Sequence, residues 1–138
     1  QLGVEEGATL AIGRIPALEE ADHGYFIAPA VFTGVNNSMR IAREEIFGPV
    51  LCILTYRTVE EAIDIANDTP YGLNAAVDGP REEALRVAAA IKAGNVYVND
   101  APRDVTAPFG GYKASGMGRE GGVAGLLEFT QLKAVFDH

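Results

Sequence analysis

The first strong pattern along the chain is aromatic and β-branched. "YFIAPAVFTGV", residues 25 to 35, predicts an extended edge segment interrupted at Pro29. Upstream, residues 1 to 24 hold no sustained period and close on the turn-like "ADHG", so an irregular lead-in is expected. Downstream, "RIAREEI" reads as a short helical turn stopped by "FGP". "VLCILTY" (50 to 56) is an unbroken apolar run of strand length, the pattern of a strand covered on both faces. The period then becomes helical: Val59, Ala62, Ile63 and Ala66 share a face, Thr58 and Glu61 form a capping box ahead of them, and Pro70 closes the segment. "GLNAAV" (72 to 77) predicts the next strand. Asp78, Gly79 and Pro80 then start a helix with the stripe Ala84, Val87, Ala88 and Ile91, for which Gly94 is the expected stop. "NVYVN" (95 to 99) is a third strand. A glycine-rich loop runs from there to residue 122, followed by a short helix around "VAGLLEF" and a terminal "TQLKAVFDH" of strand composition. Strand, helix, strand, helix, strand over 50 to 99 predicts βαβ units, hence an α/β fold with a largely parallel sheet and flanking helices.

The 138 residues are enough for about one domain, whose folding buries roughly two-thirds of the unfolded surface. The 11 basic and 19 acidic residues leave a net charge of −8, which argues against nucleic acid or an anionic membrane as partner. Any ligand must then be held by specific groups. No apolar run approaches the roughly 20 residues of a membrane helix, and no basic-then-apolar leader is seen, so a soluble cytoplasmic protein is expected. Cys52 is the single cysteine, which excludes an internal disulfide and fits a reducing compartment. The chain opens on Gln1, which points to a piece excised from something longer.

Candidate chemistry is sparse on spacing alone. Gly116-Met117-Gly118-Arg119-Glu120-Gly121 matches the G-x-G-x-x-G pattern of dinucleotide binding. That fingerprint needs a strand leading in, a helix leading out and an acidic residue about 20 positions on. Here "APFGGYKAS" precedes the glycines, and too little chain follows for a βαβ unit, although Asp137 sits near the right offset. A structural loop using left-handed backbone is the favoured reading. Cys52 lies in an apolar run where a thiolate is poorly stabilised, so an inert core residue is expected. His23 and His138 have no Cys or His at ligand spacing, and no metal site is expected. Glu44 and Glu45 read as a solvated helix end, and Arg119 with Glu120 as a surface ion pair. No complete catalytic constellation emerges.

Two longer stretches change the picture. "MRIAREEIFGPVL" (39 to 51) and "APFGGYKASGMGRE" (107 to 120) resemble signatures of the aldehyde dehydrogenase superfamily, with "ANDTPYGLNAAV" and "IKAGNVYVND" in supporting order between them. The likeness covers the chain from about Gly24 onward. It implies NAD- or NADP-dependent oxidation of an aldehyde to an acid, in which a cysteine thiolate attacks the aldehyde, hydride passes to the nicotinamide and a glutamate base activates water. By position in the motif, Glu45 matches the carboxylate that binds the nicotinamide-ribose hydroxyls and Phe47 the aromatic packed beside that ribose and ring. Both matches make chemical sense, since a carboxylate accepts two hydrogen bonds from a vicinal diol and a phenyl face adds apolar contact. Phe109 resembles an aromatic near the substrate tunnel, the segment Asn99 to Ala107 the loop at its mouth, and Glu120 an acid in a proton path. Residues 1–128 then correspond to the C-terminal portion of the catalytic domain. Residues 129–138 correspond to a terminal oligomerisation strand, so a homo-oligomer is expected. The family's nucleophile and general base lie upstream of its "EEIFGP" motif, as does its Rossmann-like domain, and Cys52 does not replace them. The isolated chain is therefore expected to be silent, as part of a larger enzyme or, alternatively, as a stand-alone non-catalytic association module.

Overall fold

The computed structural model describes residues 1–15, 24 and 26–138. His23, Tyr25 and most of the expected "ADHG" turn lie outside the described residues. Two compact units follow one another along the chain, Gln1–Asp68 and Thr69–His138.

The first unit contains α1 (Leu2–Glu5), β1 (Thr9–Ile12), β2 (Ala30–Thr33), α2 (Arg40–Arg43), β3 (Val50–Cys52) and α3 (Val59–Asn67). Its sheet has the order β1-β2-β3, with β2 antiparallel to β1 and parallel to β3. Ala30 and Phe32 alternate inward from β2 and join Ala8, Val35 and Met39 in the buried core. β2 is thus the central strand and not an edge: Pro29 lies just before its first paired residue, so no ladder donor is lost. The lead-in is also more ordered than its pattern predicts. Four-residue elements such as α1 and β1 are too short to show a period, and β1 becomes a strand by pairing with β2.

β3 is shorter and more open than the apolar run implies. Val50 and Cys52 pack against the core, while Leu51 between them is 58% exposed on this edge strand. Covering that second face requires another layer, which this unit does not supply. α3 begins as expected, with the Thr58 hydroxyl accepting the Glu61 N–H at 3.1 Å. The reciprocal bond is displaced by one residue, since the Glu61 carboxylate accepts the N–H of Arg57 at 2.7 Å.

The second unit contains β4 (Asn74–Val77), α4 (Arg81–Ala90), β5 (Asn95–Val98), a 3₁₀ turn at Lys113–Ser115 and α5 (Gly122–Leu127). β4 and β5 pair in parallel from Asn74↔Asn95 to Val77↔Val98, with α4 as the crossover and its Ala84 buried. One βαβ unit is therefore present, and the fold is mixed α/β. β3 lies in the sheet of the first unit and β4 in that of the second. Periodicity reports that strands exist but not whose edges pair.

Gly94 also has a different role from the expected helix stop. α4 ends at Ala90, where Ile91 is already extended. Gly94 lies where a Cβ would stand 1.6 Å from the Gly110 carbonyl oxygen, so close backbone approach requires the glycine. Residues 129–138 pair with no strand among the described residues. Phe129, Leu132, Val135 and Phe136 are all almost fully exposed.

Candidate functional site

The loop from α2 to β3 carries Glu45 and Phe47. It is fastened at both ends. On the α2 side, the Arg43 guanidinium donates to the Asn37 carbonyl at 2.7 Å, to the Asp68 carbonyl at 2.9 Å and to both Asp68 carboxylate oxygens at 3.0 and 3.1 Å. Asn37 in turn donates through Nδ2 to the Ile65 carbonyl and the Asp68 carboxylate. These bonds tie α2 to the end of α3. On the β3 side, the Pro49 carbonyl accepts the Ala30 N–H at 2.9 Å, which starts the parallel ladder.

Between these anchors the two adjacent carboxylates differ. Arg40 donates to both Glu44 oxygens at 2.8 and 2.9 Å, and this hydrogen bonding holds the Glu44 carboxyl below the usual carboxylate range. Glu45 is exposed and, among the described residues, has no hydrogen-bond or ion-pair partner. Phe47 has φ 52, in the left-handed region that an aromatic residue rarely adopts, and its side chain is 91% exposed. Holding a large apolar ring in water on strained backbone stabilises nothing within the unit, and such strain clusters at ligand sites. Ile41, Glu45, Phe47, Val50 and Cys52 line a concavity of about 350 Å³. Burial pushes the Cys52 thiol pKa up, and Sγ donates to the Ile41 carbonyl at 3.5 Å. It has the character of a neutral core thiol.

The second unit carries the other three residues expected at a site. Phe109 exchanges two 2.7 Å backbone hydrogen bonds with Glu120, an isolated antiparallel pair that fixes both backbones. The Arg103 guanidinium lies over the Phe109 ring, 4.5 Å from its centroid. Glu120 is exposed at the rim of a concavity of about 400 Å³ lined also by Leu73, Phe109, Gly116 and Glu128. Asn99 is engaged differently: its side-chain amide accepts the Gly79 N–H at 2.9 Å and donates to the Gly79 carbonyl at 3.0 Å. It clamps the turn before α4, continuing the β4–β5 pairing by side chain.

Arg119 and Glu120 do not form the surface ion pair read from their adjacency. Arg119 donates to the carbonyls of Gly111 and Gly118 at 3.1 and 2.6 Å and lies over Tyr112, so hydrogen bonds to the glycine loop outcompete its neighbour. The loop itself is structural. Gly118 and Gly121 have φ 74 and 72, and a 3₁₀ turn rather than a strand leads into them. Sequence reasoning missed Arg43 with Asp68, and it missed Arg103. The first pair is 25 residues apart and has no local signal. Arg103 could have been noticed as the single basic side chain between Asn99 and Ala107 in an acidic chain.

The described residues thus present a carboxylate without a protein partner beside an exposed aromatic on one anchored loop of a mixed α/β chain. The sequence pattern of the aldehyde dehydrogenase family matches residues 1–135, and the chain belongs to that family. It is similar to a 3-succinoylsemialdehyde-pyridine dehydrogenase of a Pseudomonas species, 51% identical over 137 residues, which are 99% of this chain and 29% of that protein. Among solved structures, an aldehyde dehydrogenase C mutant from Pseudomonas syringae, in complex with NAD+ and octanal, aligns with a TM-score of 0.85 at 51% identity, over 93% of this chain and 27% of that one. An aldehyde dehydrogenase of Mycobacterium tuberculosis complexed with NAD+ aligns with a TM-score of 0.83 at 47% identity, over 94% and 27%. The chain spans 28–29% of the length of the curated relatives it matches. Among the described residues no helix is long and apolar enough to cross a membrane.

The Glu45–Phe47 loop fits a nicotinamide nucleotide. Among the described residues no donor satisfies the Glu45 carboxylate, whose two oxygens suit a ribose diol, and the bare Phe47 ring offers a face to a flat heteroaromatic group.

Proposed function

We propose that these 138 residues form part of the cofactor and substrate walls of an NAD-dependent aldehyde dehydrogenase that oxidises an aldehyde to a carboxylic acid. The observation that carries this reading is the exposed pair Glu45 and Phe47 on an anchored loop, within a chain that belongs to the family. Bound NAD supplies the hydride acceptor. Glu45 accepts hydrogen bonds from the nicotinamide-ribose hydroxyls, and Phe47 packs beside that ribose and limits water around it. Phe109 lines the substrate tunnel, with the segment from Asn99 to Ala107 at its mouth, and Glu120 lies on a proton path. Asn99 acts there by fixing Gly79 and the start of that segment. NAD in two solved relatives supports the same cofactor here.

Residues 129–138 pair with a neighbouring copy in a homo-oligomer. The absence of a strand partner for them among the described residues and the exposed Leu132 and Phe136 support this assignment. The unpaired Cys52 fits a reducing compartment, and we assign the enzyme to the cytoplasm. Aldehyde-dependent NADH formation by the complete protein tests the activity, and the isolated 138 residues should give none. Within the complete protein, Glu45→Gln replaces one acceptor oxygen with a donor. It should raise KM for NAD or lower kcat about 10-fold or more. Unchanged kinetics would remove Glu45 from the cofactor site.

A further inference from the structure

The Arg103–Phe109 stack provides a feature that oxidation of an aldehyde does not itself require. We propose that Arg103 selects aldehydes carrying a second, anionic group, a carboxylate at the far end of the chain. The inference rests on the reading above, in which Phe109 lines the substrate tunnel.

Its first support is geometry. The guanidinium carbon lies 4.5 Å from the Phe109 ring centroid, within the range of a cation–π contact. A cation–π contact consumes none of the guanidinium's N–H donors, and no hydrogen bond from Arg103 is seen among the described residues, so its fork can bind a carboxylate with two parallel hydrogen bonds. Phe109 is itself a fixed platform, because its backbone is locked to Glu120 by two 2.7 Å bonds. The cation therefore stands over a ring whose backbone is anchored.

The second support is charge. Arg103 is exposed, and among the described residues no ion pair involves it. Asp104, its sequence neighbour, is turned away: its carboxylate accepts the Thr106 N–H at 2.8 Å and the Thr106 hydroxyl at 2.7 Å. A chain of net charge −8 repels an anionic substrate in general, so a local unneutralised cation beside the tunnel aromatic has a selective effect that a neutral residue lacks. An uncharged aldehyde gains nothing from it. An aldehyde with a terminal carboxylate gains a charge-assisted pair at the far end from the reacting carbon, which positions that carbon as well as binding it.

The experiment uses the complete protein that carries this segment, assayed for NADH formation with two aldehydes of equal chain length, one ending in a carboxylate and one in a methyl group. The readout is the ratio of their kcat/KM values. The unsubstituted enzyme should favour the carboxylate-bearing aldehyde, and Arg103→Gln should lower the ratio about 10- to 100-fold. Arg103→Lys, which keeps the charge but loses the forked geometry, should fall between the two. Phe109→Leu, which removes the platform, should lower the ratio in the same direction. A ratio unchanged by Arg103→Gln, or an unsubstituted enzyme that prefers the methyl-ended aldehyde, would overturn the inference while leaving the functional reading intact. Absence of turnover with either aldehyde and NAD would overturn both.

Discussion

Replacing Gly94 by alanine tests whether the Phe109 loop is seated on the β4–β5 sheet by backbone packing. An alanine Cβ would stand 1.6 Å from the Gly110 carbonyl oxygen and 2.8 Å from its carbon, where ordinary contact begins at 3.4 Å. Both partners are backbone, so the two segments must part by about 2 Å, with no flexible side chain to absorb the shift. That movement pulls on the Gly72 carbonyl, which accepts the N–H groups of both Gly94, at 3.0 Å, and Tyr112, at 2.8 Å. Overpacking of this kind costs about 1–3 kcal/mol, and two weakened backbone bonds add about 1 kcal/mol each, so Gly94→Ala should destabilise by about 3–5 kcal/mol. Urea unfolding reads the total. Hydrogen exchange at the amides of Phe109, Tyr112 and Glu120 reads the loop, and their protection should fall about 100-fold or more. Gly48→Ala is the comparison, because a Cβ there meets nothing within 4 Å. Its effect should stay within about 0.5 kcal/mol. If the Gly94 variant behaves like the Gly48 variant in both measurements, the close approach does not hold the loop.

Two further outcomes follow from local chemistry. Thr58→Ala removes the side-chain acceptor for the Glu61 N–H and should cost about 1 kcal/mol in urea unfolding, with Thr58→Asp recovering most of it; equal stability of all three proteins would mean that the Glu61–Arg57 bond suffices. For Cys52, burial raises the thiol pKa, so the fold favours the neutral form: that stability is present below the ordinary thiol pKa and is lost as pH rises through the folded value. Alkylation by iodoacetamide at neutral pH should accordingly be at least about 10-fold slower than for free cysteine and rise steeply in alkali, whereas fast labelling at neutral pH would contradict a neutral core thiol.

The elements that could be read in advance are those specified by neighbours in sequence. α3 needs only Thr58 and Glu61 to begin and a 3.6-residue stripe to continue, all within ten positions. β4, α4 and β5 likewise carry their own punctuation in Asp78, Gly79 and Pro80. Misreadings arose where a distant segment decides. β2 is central because β1 and β3 pair with its two sides, and no property of "AVFT" announces that. Gly94 looked like a helix stop because glycine after an apolar stripe usually is one, yet the Gly110 carbonyl 16 positions later determines its identity.

The site divides along the same line. Spacing left Glu44 and Glu45 equivalent, and the structure separates them through Arg40, whose i,i+4 relation to Glu44 was already visible in "RIAREE". Once that arginine claims Glu44, Glu45 is the one of the two left without a partner among the described residues, which supports the proposed role that resemblance alone suggests. Phe47 is the opposite case. Its φ of 52 cannot be inferred from composition, because glycine follows it at position 48 and would ordinarily be expected to take the left-handed turn. Placing that strain on an aromatic residue one step before an available glycine is unfavourable for the fold alone. It becomes intelligible when the direction of the ring, rather than the ease of the turn, is what the loop has to secure.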